Sequence, residues 1–250
     1  MTKMTIKTTK EIETMAEGGK LLAKVRNKVV QAVKPGITTL QLDELADRLI
    51  GEAGGKASFK MVPGYRWATC ININDTVVHG IPSDYKIKSG DKVGIDVGLY
   101  YKGFHTDTSV TVSCNGNWEE FLEVGRRGLK MAIEQARIGK RVADISRAMQ
   151  ETTEEAGFSV VRALTGHGIG RQLHEEPAIP CFVLGEYEHS PKLVAGMVIA
   201  IEIMYNQGDF EVVYKNDDGW TIATADGKIS GLFEETVAVT AHGPVVLTAA

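Results

Sequence analysis

Val93-Gly94-Ile95-Asp96-Val97-Gly98, continued through Phe104-His105-Thr106-Asp107-Thr108-Ser109-Val110-Thr111-Val112, is the stretch whose reading decides the fold. Two β-rich runs with a glycine-bearing break between them read as adjacent strands of a hairpin. Its interior face carries Asp96 and Asp107. A buried carboxylate without a partner costs several kcal/mol, so the two aspartates need an arginine, hydrogen-bond donors or a metal ion. No arginine lies within the stretch, which points toward metal.

Composition narrows what surrounds this hairpin. At 250 residues the chain is long enough to bury a substantial core. The net charge of -4 offers no basic face for nucleic acid. No apolar run reaches the roughly 18 to 20 residues of a membrane span, and Met1-Thr2-Lys3-Met4-Thr5-Ile6-Lys7 lacks the apolar region of a signal peptide. Cys70, Cys114 and Cys181 are odd in number and far apart, which argues against a disulfide framework and for a reducing compartment. A cytoplasmic location is expected.

Upstream of the hairpin, Ile12, Met15, Leu22, Val25, Val29 and Val33 recur by threes and fours, predicting a helix from Thr9 to about Lys34 that stops at Pro35-Gly36. A second helix is predicted from an N-cap at Thr39 to the stop at Gly54-Gly55. Downstream, Trp118 to about Ile138 and Val142 to Ala156 read as a second pair of helices. The pairs echo one another: Gly36 precedes Gly54 by 18 residues and Gly139 precedes Gly157 by 18. Glu52-Ala53-Gly54 is matched by Glu155-Ala156-Gly157. Gly90 precedes Asp96 by six, and Gly196 precedes Glu202 by six. Asp107-x-x-Val110-x-Val112 returns as Glu234-x-x-Val237-x-Val239, the extra residues falling in a polar hairpin tip around Asn216-Asp217-Asp218-Gly219-Trp220. A duplicated helix-helix-strand-strand unit of α+β class, its halves related by a pseudo-twofold axis, would bring the carboxylates together at the centre.

Four carboxylates, Asp96, Asp107, Glu202 and Glu234, would repel one another unless cations sit among them, and two divalent ions would cancel the formal charge. Between the halves lies the glycine-rich run from Leu164 to Pro177, with His167 and His174 seven residues apart. One imidazole would complete an oxygen-rich, five-residue site suited to manganese, iron or cobalt rather than to structural zinc. Paired ions about 3.5 to 4 Å apart activate water for attack on a carbonyl. The chemistry indicated is hydrolysis.

His79-Gly80-Ile81-Pro82, Ile95-Asp96-Val97-Gly98, Asp107-Thr108-Ser109, Gly166-His167-Gly168-Ile169-Gly170, His174-Glu175-Glu176-Pro177 and Phe233-Glu234-Glu235-Thr236 together resemble, in order and approximate spacing, the motifs of the type 1 methionine aminopeptidases, from about residue 9 to 247. The resemblance implies the pita-bread fold, two pseudo-symmetric halves (about 9-115 and 116-245) around a curved antiparallel sheet, in one catalytic domain spanning 1-250 with a short N-terminal tail, 1-8. It also implies removal of the initiator methionine from nascent chains, using two divalent ions: cobalt, manganese or iron, with zinc and nickel as further candidates. Carried over by position, Asp96, Asp107, His167, Glu202 and Glu234 resemble the metal ligands, with Asp107 and Glu234 bridging. His174 would stabilise the oxyanion, His79 would contact the scissile nitrogen, and Glu202 would also shuttle a proton. Tyr65, Cys70, Leu173, Met204 and Trp220 would line the methionine pocket, with Phe59 and Val62 as neighbours.

The sequence departs from the family at Ile203, where proline is usual, at Glu235, where histidine is usual, at Leu232 in place of glutamine, and at Arg66-Trp67-Ala68. Strand alternation predicts that Glu235 faces away from the ligands. Two rival readings are a proline-specific X-Pro aminopeptidase or prolidase and a non-catalytic peptide-binding member of the fold. The first normally carries an extra N-terminal domain, for which the residues before the first helix leave no room. The second typically loses ligands that this chain keeps. A bacterial-type monomer in transient contact with the ribosome is expected, acting on N-terminal methionyl peptides and touching neither nucleic acid nor membrane.

Overall fold

The computed structural model describes residues 4–249. Helices α1 (Thr9–Ala32) and α2 (Thr39–Glu52) open the chain, followed by β1 (Lys56–Ala57), β2 (Thr69–Ile73), β3 (Thr76–Val78) and the long hairpin β4 (Lys92–Tyr101) and β5 (Phe104–Ser113). The second helix pair is α3 (Glu119–Glu134) and α4 (Val142–Glu154). Then come β6 (Ser159–Val160), β7 (Thr165–Gly168), β8 (Glu175–Pro180), β9 (Val198–Asn206), β10 (Val212–Tyr214), β11 (Ile222–Thr224), β12 (Ser230–Thr240) and β13 (Gly243–Val246).

The main sheet runs in the order β1-β4-β5-β12-β9-β7-β8, with antiparallel pairing throughout, so the hairpin of the first half meets β12 and β9 of the second at its centre. A small sheet, β10-β11-β3, joins the halves a second time, and its turn between β10 and β11 is the polar tip read from sequence. Among the described residues no helix is long and apolar enough to cross a membrane.

Side chains alternate across a strand, so each strand offers one face to the helices and one to the opposite side. Val93, Ile95, Val97 and Leu99 of β4 pack with Leu22, Val25 and Val29 of α1 and Leu42, Ala46 and Leu49 of α2. Ile199, Ile201, Ile203 and Tyr205 of β9 and Phe233 of β12 pack with Phe121, Leu122 and Leu129 of α3 and Ile145 and Met149 of α4. Each fully buried side chain of this size contributes about 2 kcal/mol, which fixes which face of every strand looks inward. The opposite face is left for polar groups.

Helix boundaries differ in detail from the sequence reading. The N-cap of α2 is Thr38, not Thr39: only a residue three before Gln41 can form the reciprocal box, in which Gln41 N–H donates to Thr38 Oγ1 (3.1 Å) and Thr38 N–H to Gln41 Oε1 (2.9 Å). Thr39 is buried and donates instead to the Ser83 carbonyl. Helix α1 ends at Ala32 because Val33 already turns extended ahead of Pro35. The N-terminal residues from Thr5 to Lys7 are tied down, with Lys7 N–H donating to the Gly196 carbonyl at 2.8 Å and the Lys7 side chain buried.

Candidate active site

The strand register builds the site. Asp96 lies opposite Ser109, Ser109 opposite Glu234, and Glu234 opposite Glu202, one row crossing β4, β5, β12 and β9. Directly opposed residues share a face, so the three carboxylates of the row project to the same side. Asp107 lies two residues along β5 from Ser109 and therefore on that side too. On β7, His167 lies opposite Ala200, two residues from Glu202. The carboxylates and the imidazole thus reach one cavity from five strands, although they are spread over 139 residues of chain.

The same register puts two of the departures, Glu235 and Ile203, on the other face. Glu235 is opposite Thr108 and Ile201, toward α1, where its Oε1 accepts a hydrogen bond from Arg26 Nη1 at 2.8 Å. Its Oε2 accepts from Thr108 Oγ1 at 3.3 Å and from the Thr248 hydroxyl. Ile203 is fully buried against α3, where Gly128 makes room: a Cβ there would lie 2.4 Å from Ile203 Cδ1.

In the cavity one oxygen or nitrogen from each of Asp107, His167 and Glu234 lie within 4.8 Å of one another. Asp96 Oδ1 is buried with no hydrogen-bond partner in the protein. Burial, then mutual repulsion, pushes the carboxyls of Asp107, Glu202 and Glu234 up, and burial raises that of Asp96. Burial pulls His167 down to about 3, leaving a neutral imidazole whose Nδ1 lies 2.9 Å from the Gly168 carbonyl. With Nδ1 protonated and bonded there, Nε2 is left as the donor atom for a cation. Acidic groups that share a buried space with a neutral imidazole could hold a cation.

The cavity wall continues as Phe59, Val62, Tyr65, Cys70, Val78, Leu173 and Trp220. The rings of Tyr65 and Trp220 meet edge to face at 5.1 Å, and Tyr65 Oη donates to the Thr69 carbonyl at 2.9 Å, so the wall is ordered by its own contacts. Burial raises the Cys70 thiol strongly, so it packs as a neutral group. His79 and His174 also line the cavity. Burial, then the His174 charge, brings His79 down to about 4, and its backbone φ of 56° is that of a tight turn. His174 is solvent-exposed, its ring 4.5 Å from that of His167.

Met204, expected in the pocket, belongs instead to a core cluster with Val77, Ile222 and Leu232 and does not line the cavity. His105 stands outside it, with Nδ1 2.9 Å from Ser58 Oγ. Sequence reasoning missed Val78 as a wall residue, and it missed the buried ion pair between Lys7 and Glu175, whose partners stand 168 residues apart. No periodicity marks such a pair.

Comparison with known proteins gives this geometry its relatives. Residues 13–241 match Metallopeptidase family M24. A methionine aminopeptidase of Clostridium perfringens is 43% identical over 246 residues, 97% of this chain and 98% of that one. The crystal structure of methionine aminopeptidase from Thermotoga maritima aligns with a TM-score of 0.94 at 39% identity, covering 99% of this chain and 100% of the other. The prolidase of Pyrococcus furiosus shares the fold, with a TM-score of 0.79 at 24% identity over 98% of this chain and 65% of that one.

Proposed function

This chain belongs to Metallopeptidase family M24, and from its likeness to methionine aminopeptidases over nearly its whole length we propose that it is a methionine aminopeptidase that hydrolyses the first peptide bond of polypeptides beginning with methionine. In this reading Asp96, Asp107, His167, Glu202 and Glu234 would hold two divalent ions. The observation that carries it is one cavity lined both by four carboxylates with an imidazole and by the apolar wall from Phe59 to Trp220.

The residues fit the metal. A buried Asp96 oxygen with no protein partner and carboxyls pushed up by burial describe a cluster that a cation would neutralise. Carboxylate oxygens with one imidazole suit manganese, iron or cobalt, and also accept zinc or nickel. When bound, such ions acidify a water and polarise the scissile carbonyl. Around them, Glu202 takes the proton of the attacking water and passes it to the leaving amine. His174 donates to the oxyanion as it forms, an interaction strongest in the transition state. His79, neutral near pH 7, orients the scissile amide nitrogen. The apolar wall receives the unbranched thioether side chain. Substrates are methionyl peptides and nascent chains met at the ribosome by a cytoplasmic monomer. Residues 1-250 act as one catalytic domain of two half-units, about 9-115 and 116-245, with the tail 1-8.

The test is release of free methionine from Met-Ala-Ser, beside an X-Pro peptide and an N-acetylated control, in protein stripped of metal and titrated with manganese or cobalt. Metal-dependent cleavage of the free methionyl peptide alone is expected. Cleavage of the X-Pro peptide instead, or tight metal binding with no cleavage of any peptide, would overturn the assignment.

A further inference from the structure

The turn that brings Leu173 and His174 to the cavity is closed from behind by the next residue. Glu175 Oε1 accepts the Gln172 N–H at 3.2 Å, so its carboxylate spans the turn from one end to the other. The other oxygen, Oε2, accepts Lys7 Nζ at 2.7 Å and the Thr5 hydroxyl, both from the segment that precedes α1. This pair is buried, with side-chain exposures of 3% for Lys7 and 1% for Glu175. Two glycines make room for it. At Gly170 a Cβ would lie 2.3 Å from Lys7 Cε, and at Gly196, whose φ is +89°, it would lie 2.6 Å from the Lys7 carbonyl oxygen. The start of the turn is pinned as well, since the Gly170 carbonyl accepts the His105 N–H at 2.7 Å.

A buried ion pair is a weak source of stability, because desolvation of both charges offsets most of their attraction. Its geometry is more informative than its energy. Lys7 and Glu175 do not line the cavity, yet they fix the turn whose adjacent residue does. We infer that Lys7 is a positioning residue for catalysis: through Glu175 it sets the placement of His174 against the scissile bond. The inference rests on the role proposed above for His174.

The experiment compares the full chain with Lys7→Met, Lys7→Arg, His174→Ala and the double variant Lys7→Met/His174→Ala. Kinetics on Met-Ala-Ser with manganese are read beside the ring signals of 15N-histidine-labelled protein loaded with diamagnetic zinc. Loss of an orienting partner of this kind costs about 10- to 100-fold in rate. Lys7→Met should therefore lower kcat by that factor with KM within about twofold, and Lys7→Arg should keep most of the rate. In the His174→Ala background Lys7→Met should change the residual kcat by less than about twofold, since coupled residues are not additive. The His174 ring signals should move while those of the exposed His189 and His242 stay. Additive losses, or unmoved His174 signals, would overturn the inference. If Lys7→Met does not fold, Lys7→Met/Glu175→Met removes both charges together, leaves no lone buried ion, and is held to the same outcomes. A wild-type chain without activity would sink the proposed reaction, and the His174 signals would still decide the positioning role.

Discussion

Replacing Arg26 with methionine should weaken the fold and leave catalysis untouched, because Arg26 serves Glu235 on the helix-facing side of the sheet. Arg26 Nη1 lies 2.8 Å from Glu235 Oε1 and 2.6 Å from Thr108 Oγ1. The two charged side chains are 12% and 18% exposed. With an effective dielectric of about 20, the attraction at this distance is roughly 6 kcal/mol before desolvation. Desolvation cancels much of that in the intact pair, but removing one partner strands the other, at a cost of about 3 kcal/mol. The hydroxyls of Thr108 and Thr248 remain to Glu235 and hold the loss to this lower end. For a domain of this size, about 3 kcal/mol lowers Tm by roughly 6 to 12 °C. Thermal melting of the manganese-loaded protein measures the first quantity, and kcat and KM on Met-Ala-Ser, each expected within about twofold of wild type, measure the second. Arg26→Met/Glu235→Leu should regain most of the lost stability. An unchanged Tm together with weaker metal binding or a lower kcat would refute the placement of Glu235 away from the ligands.

Three further outcomes follow from other contacts. Gly125→Ala drives a methyl to 2.4 Å from Phe233 Cδ2 and 2.7 Å from Tyr205 Cε1, rigid rings that cannot swing aside, and should cost about 1 to 3 kcal/mol in urea unfolding despite the roughly 1 kcal/mol that alanine gains in a helix; an unchanged midpoint would show that α3 does not pack on these rings. Trp220→Ala opens the apolar wall and should lower kcat/KM for Met-Ala-Ser by about 10- to 200-fold, mainly through KM; an unchanged value would remove Trp220 from the pocket. In metal-stripped protein the raised carboxyls of Asp96, Asp107, Glu202 and Glu234 bind more protons folded than unfolded, so their contribution is complete below about pH 4 and is lost as pH rises through the folded pKa values. Tm of the stripped protein should therefore fall between about pH 5 and pH 8 and the manganese-loaded protein should escape that fall, whereas parallel curves would count against these groups as the ligands.

Much of the site was legible because its residues carry chemistry that a core cannot absorb. Asp96 and Asp107 in β-rich runs demanded a counter-charge, and the matched spacings around Glu202 and Glu234 announced the second half. Alternation along β12 foretold that Glu235 turns away from its neighbour Glu234. The same rule was insufficient at Met204. It shares the parity of Glu202, yet it lies two residues farther along β9, where the wall has already closed over the core.

The sequence by itself determined the two helix pairs, the Asp96/Asp107 hairpin, the four carboxylates that need a counter-charge and the family, since periodicity, capping and motif order are local properties of the chain. Only the tertiary structure decided that Asp96, Glu234 and Glu202 share one row, that Glu235 meets Arg26 and that Lys7 holds Glu175. Those facts depend on the register and packing of segments far apart in the chain, 168 residues for Lys7 and Glu175 and 209 for Arg26 and Glu235. Such placements are set by the joint burial of apolar faces, a balance no short stretch of sequence contains.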